Sequence, residues 1–333
     1  MAPGRVHKHM LLKYLGRRVL ATFPVVIGVT LIIFLLMHFE AGSYIPGVDL
    51  NPALKPEDIE AIKRYLGLDR PLYVQYLTWL WGILHGDFGR SMTDGTTVSS
   101  HILDRLPATL ELTVTAIILG VVISIPLGIT GALRRGSKLD HFLTATSVAG
   151  FAVPAFWLGL ILILFFSVQF HAWGLPFLPS GGVVTPGTEG GDLLDRLVHL
   201  IMPATVLSFV YLSIWSRFTR SSMLEVLGQD YVRTARAKGM SERRVVYLHA
   251  LRNAVIPLIT LVGLELPALV SGGLVVEVVF SWPGIGKLLY ERALASDYTT
   301  VLGIVTFAAL LVVAGNLLAD IMYALLDPRI RYA

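Results

Sequence analysis

The chain has 333 residues, 54% of them hydrophobic and only 15% charged, where roughly a quarter are charged in a soluble domain. That balance argues against a water-soluble globule and for a membrane chain. A net charge of +4 and a pI near 9.3 follow from basic residues gathered in particular segments, so no nucleic-acid partner is needed to explain them. Cysteine is absent, which excludes disulfides and thiolate-bound metal.

A helix rises about 1.5 Å per residue and the hydrocarbon core is about 30 Å thick, so about 20 apolar residues mark one crossing. Residues 1–18 carry Arg5, Lys8, Lys13, Arg17 and Arg18, and the first span follows at 19–39. Its apolar run exceeds the roughly 7–15 residues of a signal-peptide core and ends without a small-residue cleavage pattern, so it reads as a retained anchor. The next segment, 40–107, holds nine acidic and six basic residues. Within it Pro56 opens PEDIEAIKRYLGL, with Glu57, Asp58 and Glu60 early, Lys63 and Arg64 late and Gly67 at the close, the pattern of a short helix. After Pro71, Leu72, Tyr76, Trp79, Leu80 and Ile83 recur at helical spacing before the turn-like GDFG at 86–89. This is an aromatic helix suited to the membrane interface, or one that receives or guides a solute. The letters DFG are no kinase signature, because the glycine-rich loop, the strand lysine and the catalytic loop are missing.

The second span is expected at 108–133 and the third at 142–170, joined by a link with Arg134, Arg135 and Lys138. A glycine- and proline-rich loop, 171–198, leads to a short fourth span at 199–216. Residues 217–252 are strongly basic, with Arg217, Arg220, Arg233, Arg236, Lys238, Arg243, Arg244 and Arg252. The fifth span, 253–280, carries Glu265; a loop at 281–297 precedes the sixth, 298–326, which carries Asp320, and 327–333 end the chain. Because lipid offers the backbone no hydrogen-bond partner, each span must be helical, and Pro24, Pro126, Pro154, Pro203, Pro257 and Pro267 must be accommodated by neighbouring helices. The expected fold is an all-α polytopic bundle of about six transmembrane helices. The Lys and Arg clusters place 1–18, the second-to-third link and 217–252 in the cytoplasm, together with both termini. Segments 40–107, 171–198 and 281–297 fall on the other side.

The basic segment has internal order. LEVLGQDYVRTARAKG has helix-compatible spacing, Gly239 breaks the run, and Ser241 is placed to cap a second helix. Ala235, Ala237 and Gly239 are small enough to let another surface approach, while Arg233, Arg236 and Lys238 supply charge. Two readings stay open at this point: a solvated loop that satisfies the positive-inside rule, and a docking surface.

At these residues the chain resembles a known family. The alanine-rich helix, Gly239 and the later Ile256-Pro257 resemble the EAA loop of permease subunits of ATP-binding cassette importers, although Thr234, Ala235 and Arg236 stand where the motif's name spells Glu, Ala, Ala. RTARAKG followed by HALRNAVIP is similar to the dipeptide and oligopeptide branch, in the subunit with a long outer loop after its first helix. LGLDRPLYVQY at 66–76, HGDFGRS at 85–91, RLPATLELT at 105–113, VEVVFSWPGIGKLL at 276–289 and the terminal LLDPRIRYA extend the likeness over essentially the whole chain.

The resemblance implies a type I importer (MetI-like) permease in the cytoplasmic membrane of a prokaryote, translocating di- and oligopeptides. It implies as partners a second homologous permease, two ATPase subunits that bind ATP and magnesium, an extracytoplasmic substrate-binding protein and the surrounding lipid. Asp230, Tyr231, Arg233, Thr234, Ala235, Arg236, Ala237, Lys238 and Gly239 would then form the coupling helix that enters a groove on an ATPase.

The residues themselves are consistent with a transport subunit that is not an enzyme and holds no cofactor. SWPGIGKLL has Ser281 where a phosphate loop needs its first glycine and Leu288 where Ser or Thr must hold magnesium. Neither a HExxH zinc pattern nor a GxSxG nucleophile elbow occurs. Two alternatives remain. A nickel importer would need ligands, but His38, His171 and His199 are scattered near membrane edges, and His7 and His9 pair only in the N-terminal tail. A proton-coupled transporter would use intramembrane acids, for which Glu111, Glu265 and Asp320 are candidates. Glu265 is also the candidate for lining the solute path.

Overall fold

A computed structural model describes residues 3–41, 69–187, 192–265 and 273–326, together with positions 55, 57 and 60. Most of the helix expected from Pro56 therefore lies outside the described residues, as do Pro267 and the terminal DPRIRYA beyond Leu326. The described residues are predominantly helical, and the only β pairing among them is an isolated bridge between Arg90 and Thr97. The chain divides into two compact units, Met1–Pro107 with Leu288–Ala333, and Ala108–Lys287.

The first unit contains α1 (Pro3–Ala41), α2 (Leu72–Leu84), the start of α3 (Val98–Leu133), the end of α11 (Ile285–Leu294) and α12 (Tyr298–Leu326). α1 packs along α12. α2 turns Tyr76 and Trp79 towards α1, where the Tyr76 hydroxyl lies 3.0 Å from the Thr30 hydroxyl and both rings pack on Phe34. Its other face, Tyr73, Leu77, Trp81 and Leu84, is apolar and exposed. Only 17% of the most apolar window in Gly16–Leu36, and the same share in Tyr298–Leu318, is buried within the chain. Such helices hydrophobic on their outer faces require lipid, not water, around them.

The second unit holds the rest of α3, α4 (Lys138–Ala152), α5 (Ala155–Leu162, continued by a π-helical turn Ile163–Gln169 to Ala172) and α6 (Leu193–Leu227). Then come α7 (Asp230–Ala237), α8 (Glu242–Arg244, a π-helical turn Val245–Ala250, and Leu251–Ala254), α9 (Ile256–Leu264) and α10 (Leu274–Val279). α6 is the central post. Against α3, a Cβ on Gly120 would stand 2.9 Å from Tyr211 and Trp215, and one on Gly128 would stand 2.5 Å from Thr219. Against α4, a Cβ on Gly150 would meet the Ser213 hydroxyl at 2.0 Å, and the Ser147 and Ser216 hydroxyls lie 3.0 Å apart. Small residues let helices approach closely where no hydrophobic driving force separates protein from lipid.

The spans differ from expectation in three places. The uninterrupted run 142–170 is broken at Val153 and Pro154: Val153 is extended (φ −79°, ψ 122°), because the proline ring disfavours a helical conformation at the residue before it and removes an N–H donor. The fourth helix is much longer than 199–216, so Arg217 and Arg220 ride on α6 itself. The fifth span is not continuous: α8 and α9 meet at a 40° bend at Val255, next to Pro257 in the first turn of α9. Among the described residues five helices are long and apolar enough to cross a membrane, or six when that bent pair counts as one.

Candidate functional site

The basic segment folds as the helix, turn and helix that its spacing predicts. α7 ends in a Schellman motif: Gly239 has φ +77°, its N–H donates to Arg236 O at 2.9 Å, and the Met240 N–H donates to Ala235 O at 3.4 Å. Glycine occupies that left-handed position without a Cβ penalty. Val232 and Ala235 on the inner face of α7 pack with Val245 of α8, flanked by Val226, Leu227 and Met240. Val232 and Val245 are fully buried, so an eight-residue helix too short to persist alone is held by its own chain.

The opposite face is open. Asp230, Tyr231, Arg233, Thr234, Arg236, Ala237, Lys238 and Gly239 are exposed. The side chains of Asp230 and Arg233 are 97% and 72% accessible. Arg236 is held by Glu242 across the turn, at 2.6 and 3.1 Å, an interaction that raises the guanidinium's pKa further. Tyr231 accepts a hydrogen bond from the Asn253 side chain at 2.8 Å, tying the start of α7 to the end of α8. Ala235 departs from the expected role: it faces its own core and offers no surface to a partner, because position 235 lies three residues from Val232 on the same helical face.

The intramembrane acids have separate fates. Glu111 receives both Nε and Nη2 of Arg196, an ion pair between α3 and α6. Glu265 caps the C-terminal end of α9 and is partly exposed. The side chain of Asp320 lies outside the described residues. His199 is buried and its Nδ1–H donates to the Gly181 and Gly182 carbonyls at 3.1 and 3.2 Å, which fixes it as a link to the loop before α6. Among the described residues no cluster of three His, Cys, Asp or Glu suits a metal ion.

Among the described residues two carboxylates that hydropathy and motif patterns do not point to are wholly inaccessible. Glu277 is wholly inaccessible; it accepts from the Thr109 hydroxyl at 2.9 Å and from the Lys287 N–H at 3.0 Å. Thr109 in turn accepts the Ile285 N–H at 2.8 Å, and Trp282 donates its indole N–H to Ala108 O at 2.7 Å. The loop SWPGIGK thus wraps the carboxylate, and a Cβ on Gly284 would sit 2.3 Å from it. In the first unit Asp297, also inaccessible, accepts from Ser91 Oγ at 2.6 Å, Met92 N–H at 3.0 Å and Thr300 Oγ1 at 2.8 Å. Burial pushes its pKa up, but these donors outweigh burial and hold it below the usual range. Arg292 bridges Asp94 at 2.8 Å and Asp297 at 3.5 Å, and Asp94, bonded first by Thr96 and then by Arg292, is held well below the usual range.

Fold and site together define a multi-pass helical membrane protein that presents a charged helix braced from behind by its own core. Residues 124–332 match the binding-protein-dependent transport system inner membrane component, and residues 11–113 match the N-terminal model for membrane components of such systems. The chain belongs to this family. It is 46% identical over 320 residues to the oligopeptide transport system permease protein AppB of Bacillus subtilis (strain 168), covering 96% of this chain and 99% of that one. It is 38% identical over 337 residues to the dipeptide transport system permease protein DppB of Escherichia coli (strain K12), covering 97% and 99%. With the di/tripeptide transport system permease protein DppB of Pseudomonas aeruginosa (strain UCBPP-PA14) the identity is 41% over 336 residues, covering 97% and 99%.

Proposed function

We propose that this chain is the permease subunit of an ATP-driven importer of di- and oligopeptides, acting as a conduit and not as an enzyme. The relatives named above are permeases of peptide transport systems and align with nearly its whole length, which favours a peptide over nickel and an ATP-driven mechanism over a proton-coupled one. The observation that carries the mechanism is α7: its inner face is fixed by Val232 and Ala235, while Asp230, Tyr231, Arg233, Thr234, Arg236, Ala237, Lys238 and Gly239 face outward.

A helix braced in this way transmits a push. In our reading α7 and its turn enter a groove on one of two separate ATPase subunits, which bind ATP and magnesium. α6, which leads directly into α7, and α8, which packs behind it, carry the displacement into the bundle. A second homologous permease completes the pore, and an extracytoplasmic binding protein delivers the peptide. The chain sits in the cytoplasmic membrane of a prokaryote with both termini and α7 in the cytoplasm, the side that its Lys and Arg clusters select. Glu265 is assigned to the solute path.

Reconstitution with the partner subunits in proteoliposomes tests the whole reading. Uptake of a labelled dipeptide should require ATP and loaded binding protein. Uptake driven by a proton gradient without ATP would overturn it. Replacing Glu265→Gln with the complex intact should reduce uptake, and unchanged uptake removes Glu265 from the path.

A further inference from the structure

A cavity of about 530 Å³ opens between α4 and α6, bordered by Thr144, Ser147, Phe151, Arg217, Phe218 and Arg220. Its two arginines are used differently. Arg220 gives Nε and Nη2 to Asp140 at 2.6 and 2.8 Å, whereas Arg217, one turn earlier, has no hydrogen-bond or ion-pair partner among the described residues. A guanidinium without a carboxylate beside a cavity with hydroxyls on its wall is a site for an anion.

Depth identifies the anion. Residues 197–216 of α6 contain no Lys, Arg, Asp or Glu, and Arg217 is the first charge after them. On α4, Lys138 and Asp140 precede an uncharged run that begins at Phe142, and Ser147 lies five residues, about 7–8 Å, into that run. Both helices change from charged to apolar at the same end, so the cavity straddles the boundary of the hydrocarbon core. That is where lipid phosphates lie, and basic pockets between transmembrane helices recognise anionic headgroups. The remaining rim fits the rest of a lipid: Phe151 and Phe218 are 72% and 47% exposed and offer acyl chains an apolar flank.

We propose that this α4–α6 cavity binds the phosphate of an anionic phospholipid, with Arg217 as its principal cation. A transported peptide would need its counter-charge within the bundle, whereas this cavity lies at the bundle's charged end. The lipid occupies the space beside Arg220 and Asp140, bracing the end of α6 from which α7 follows.

Native mass spectrometry of the full-length chain, purified in detergent and exposed to phosphatidylglycerol or phosphatidylcholine, is the test. Phosphatidylglycerol should be retained about fivefold better, the scale of one Lys or Arg contact at a charged membrane surface. Arg217→Gln should abolish that preference and Arg217→Lys should restore part of it. Thr144→Leu, which narrows the cavity and leaves both arginines in place, should lower retention independently of charge. The melting temperature of Arg217→Gln in lipid-free detergent should match the unaltered chain. Equal retention of the two lipids, or unaltered phosphatidylglycerol retention in Arg217→Gln, would overturn the proposal. Displacement of the lipid by a dipeptide with a free carboxylate would assign the cavity to the transported solute and overturn it equally.

Discussion

The carboxylate of Glu277 and the charges of α7 are opposite uses of polarity within one unit. Glu277 is surrounded: a hydroxyl, a backbone N–H and a tight glycine loop leave it inaccessible. α7 keeps its apolar residues inward and holds Arg233 and Lys238 into the surroundings. A buried polar group is worth its partners' full desolvation, whereas an exposed ion pair is worth little to stability. Hydrogen bonding at the first site therefore specifies the fold, and charge at the second is free to specify a partner.

The widest separation between the two comes from removing each. Glu277→Ala removes the buried acceptor of the Thr109 hydroxyl and of the Lys287 N–H and should cost about 3 kcal/mol or more, read as a large drop in melting temperature or failure to accumulate in the membrane. Glu277→Gln, which keeps one acceptor, should cost less. A Glu277→Ala chain that melts like the unaltered one would show that the loop does not depend on its carboxylate.

At α7 the expected effect lies in activity. Arg236→Glu meets Glu242 with like charge, yet the pair is exposed and should cost less than about 1 kcal/mol. Uptake in the assembled complex should fall about tenfold or more, the scale of a lost charged contact at an interface. The exchange Arg236→Glu with Glu242→Arg restores the pair and so discriminates. If uptake stays low, Arg236 contacts a partner; if it recovers, Arg236 serves only the turn and the outward assignment fails for that residue. Arg233→Glu, at a position whose only ion pair among the described residues is to Asp230 at 3.6 Å, should lower uptake without measurable destabilisation.

Much of this division was legible in the sequence, and the part that was not has a physical reason. Hydropathy indicated a multi-span helical membrane chain because lipid selects on composition, but not where the helices break or end. The order of α7, Gly239 and α8 was legible because turn and cap chemistry is local. The C-terminal end of α6 was not: Arg217 and Arg220 looked like a loop, but arginine is a good helix former, and Arg220 is matched by Asp140, eighty residues away in sequence, so the helix runs on past its apolar stretch to Leu227. Pro154 and Pro257 were visible as prolines, while Pro24 and Pro203 sit inside unbroken helices, so which proline breaks a span depends on neighbours. Glu277 had a signal that went unused. Glycines follow it seven and nine residues later, and Cβ atoms on Gly284 and Gly286 would lie within 2.9 Å of that carboxylate, so the two glycines are what let the backbone close on it.

Asp140 tests an intermediate case, a buried carboxylate paired with a partly exposed arginine. Arg220, followed by the Gly136 N–H, lowers its pKa to about 2, against about 3.9 for a free aspartate. The unfolded chain then binds more protons than the folded one between those values, so the contribution is complete above about pH 4 and is lost as pH falls towards 2. Acid titration of the melting temperature should show this loss, and Asp140→Asn should remove that component. An unchanged acid profile in the variant would mean that Arg220 does not stabilise the ionised form.

Gly239→Ala should produce the smallest effect and the finest distinction between the two uses of sequence. Nothing lies within 4 Å of the position a Cβ would occupy, so packing within the chain sets no limit, and only the left-handed φ of +77° resists substitution, at about 1 kcal/mol. Gly239→Asn, which tolerates that conformation better, should recover most of the stability. A partner seated against the turn would impose a second requirement, because asparagine is bulkier than alanine. If uptake follows stability, with asparagine better than alanine, glycine is present to end α7. If uptake follows size instead, with asparagine worse than alanine, the open space beside Gly239 is filled in the assembled transporter, and the turn itself belongs to the contact that α7 makes.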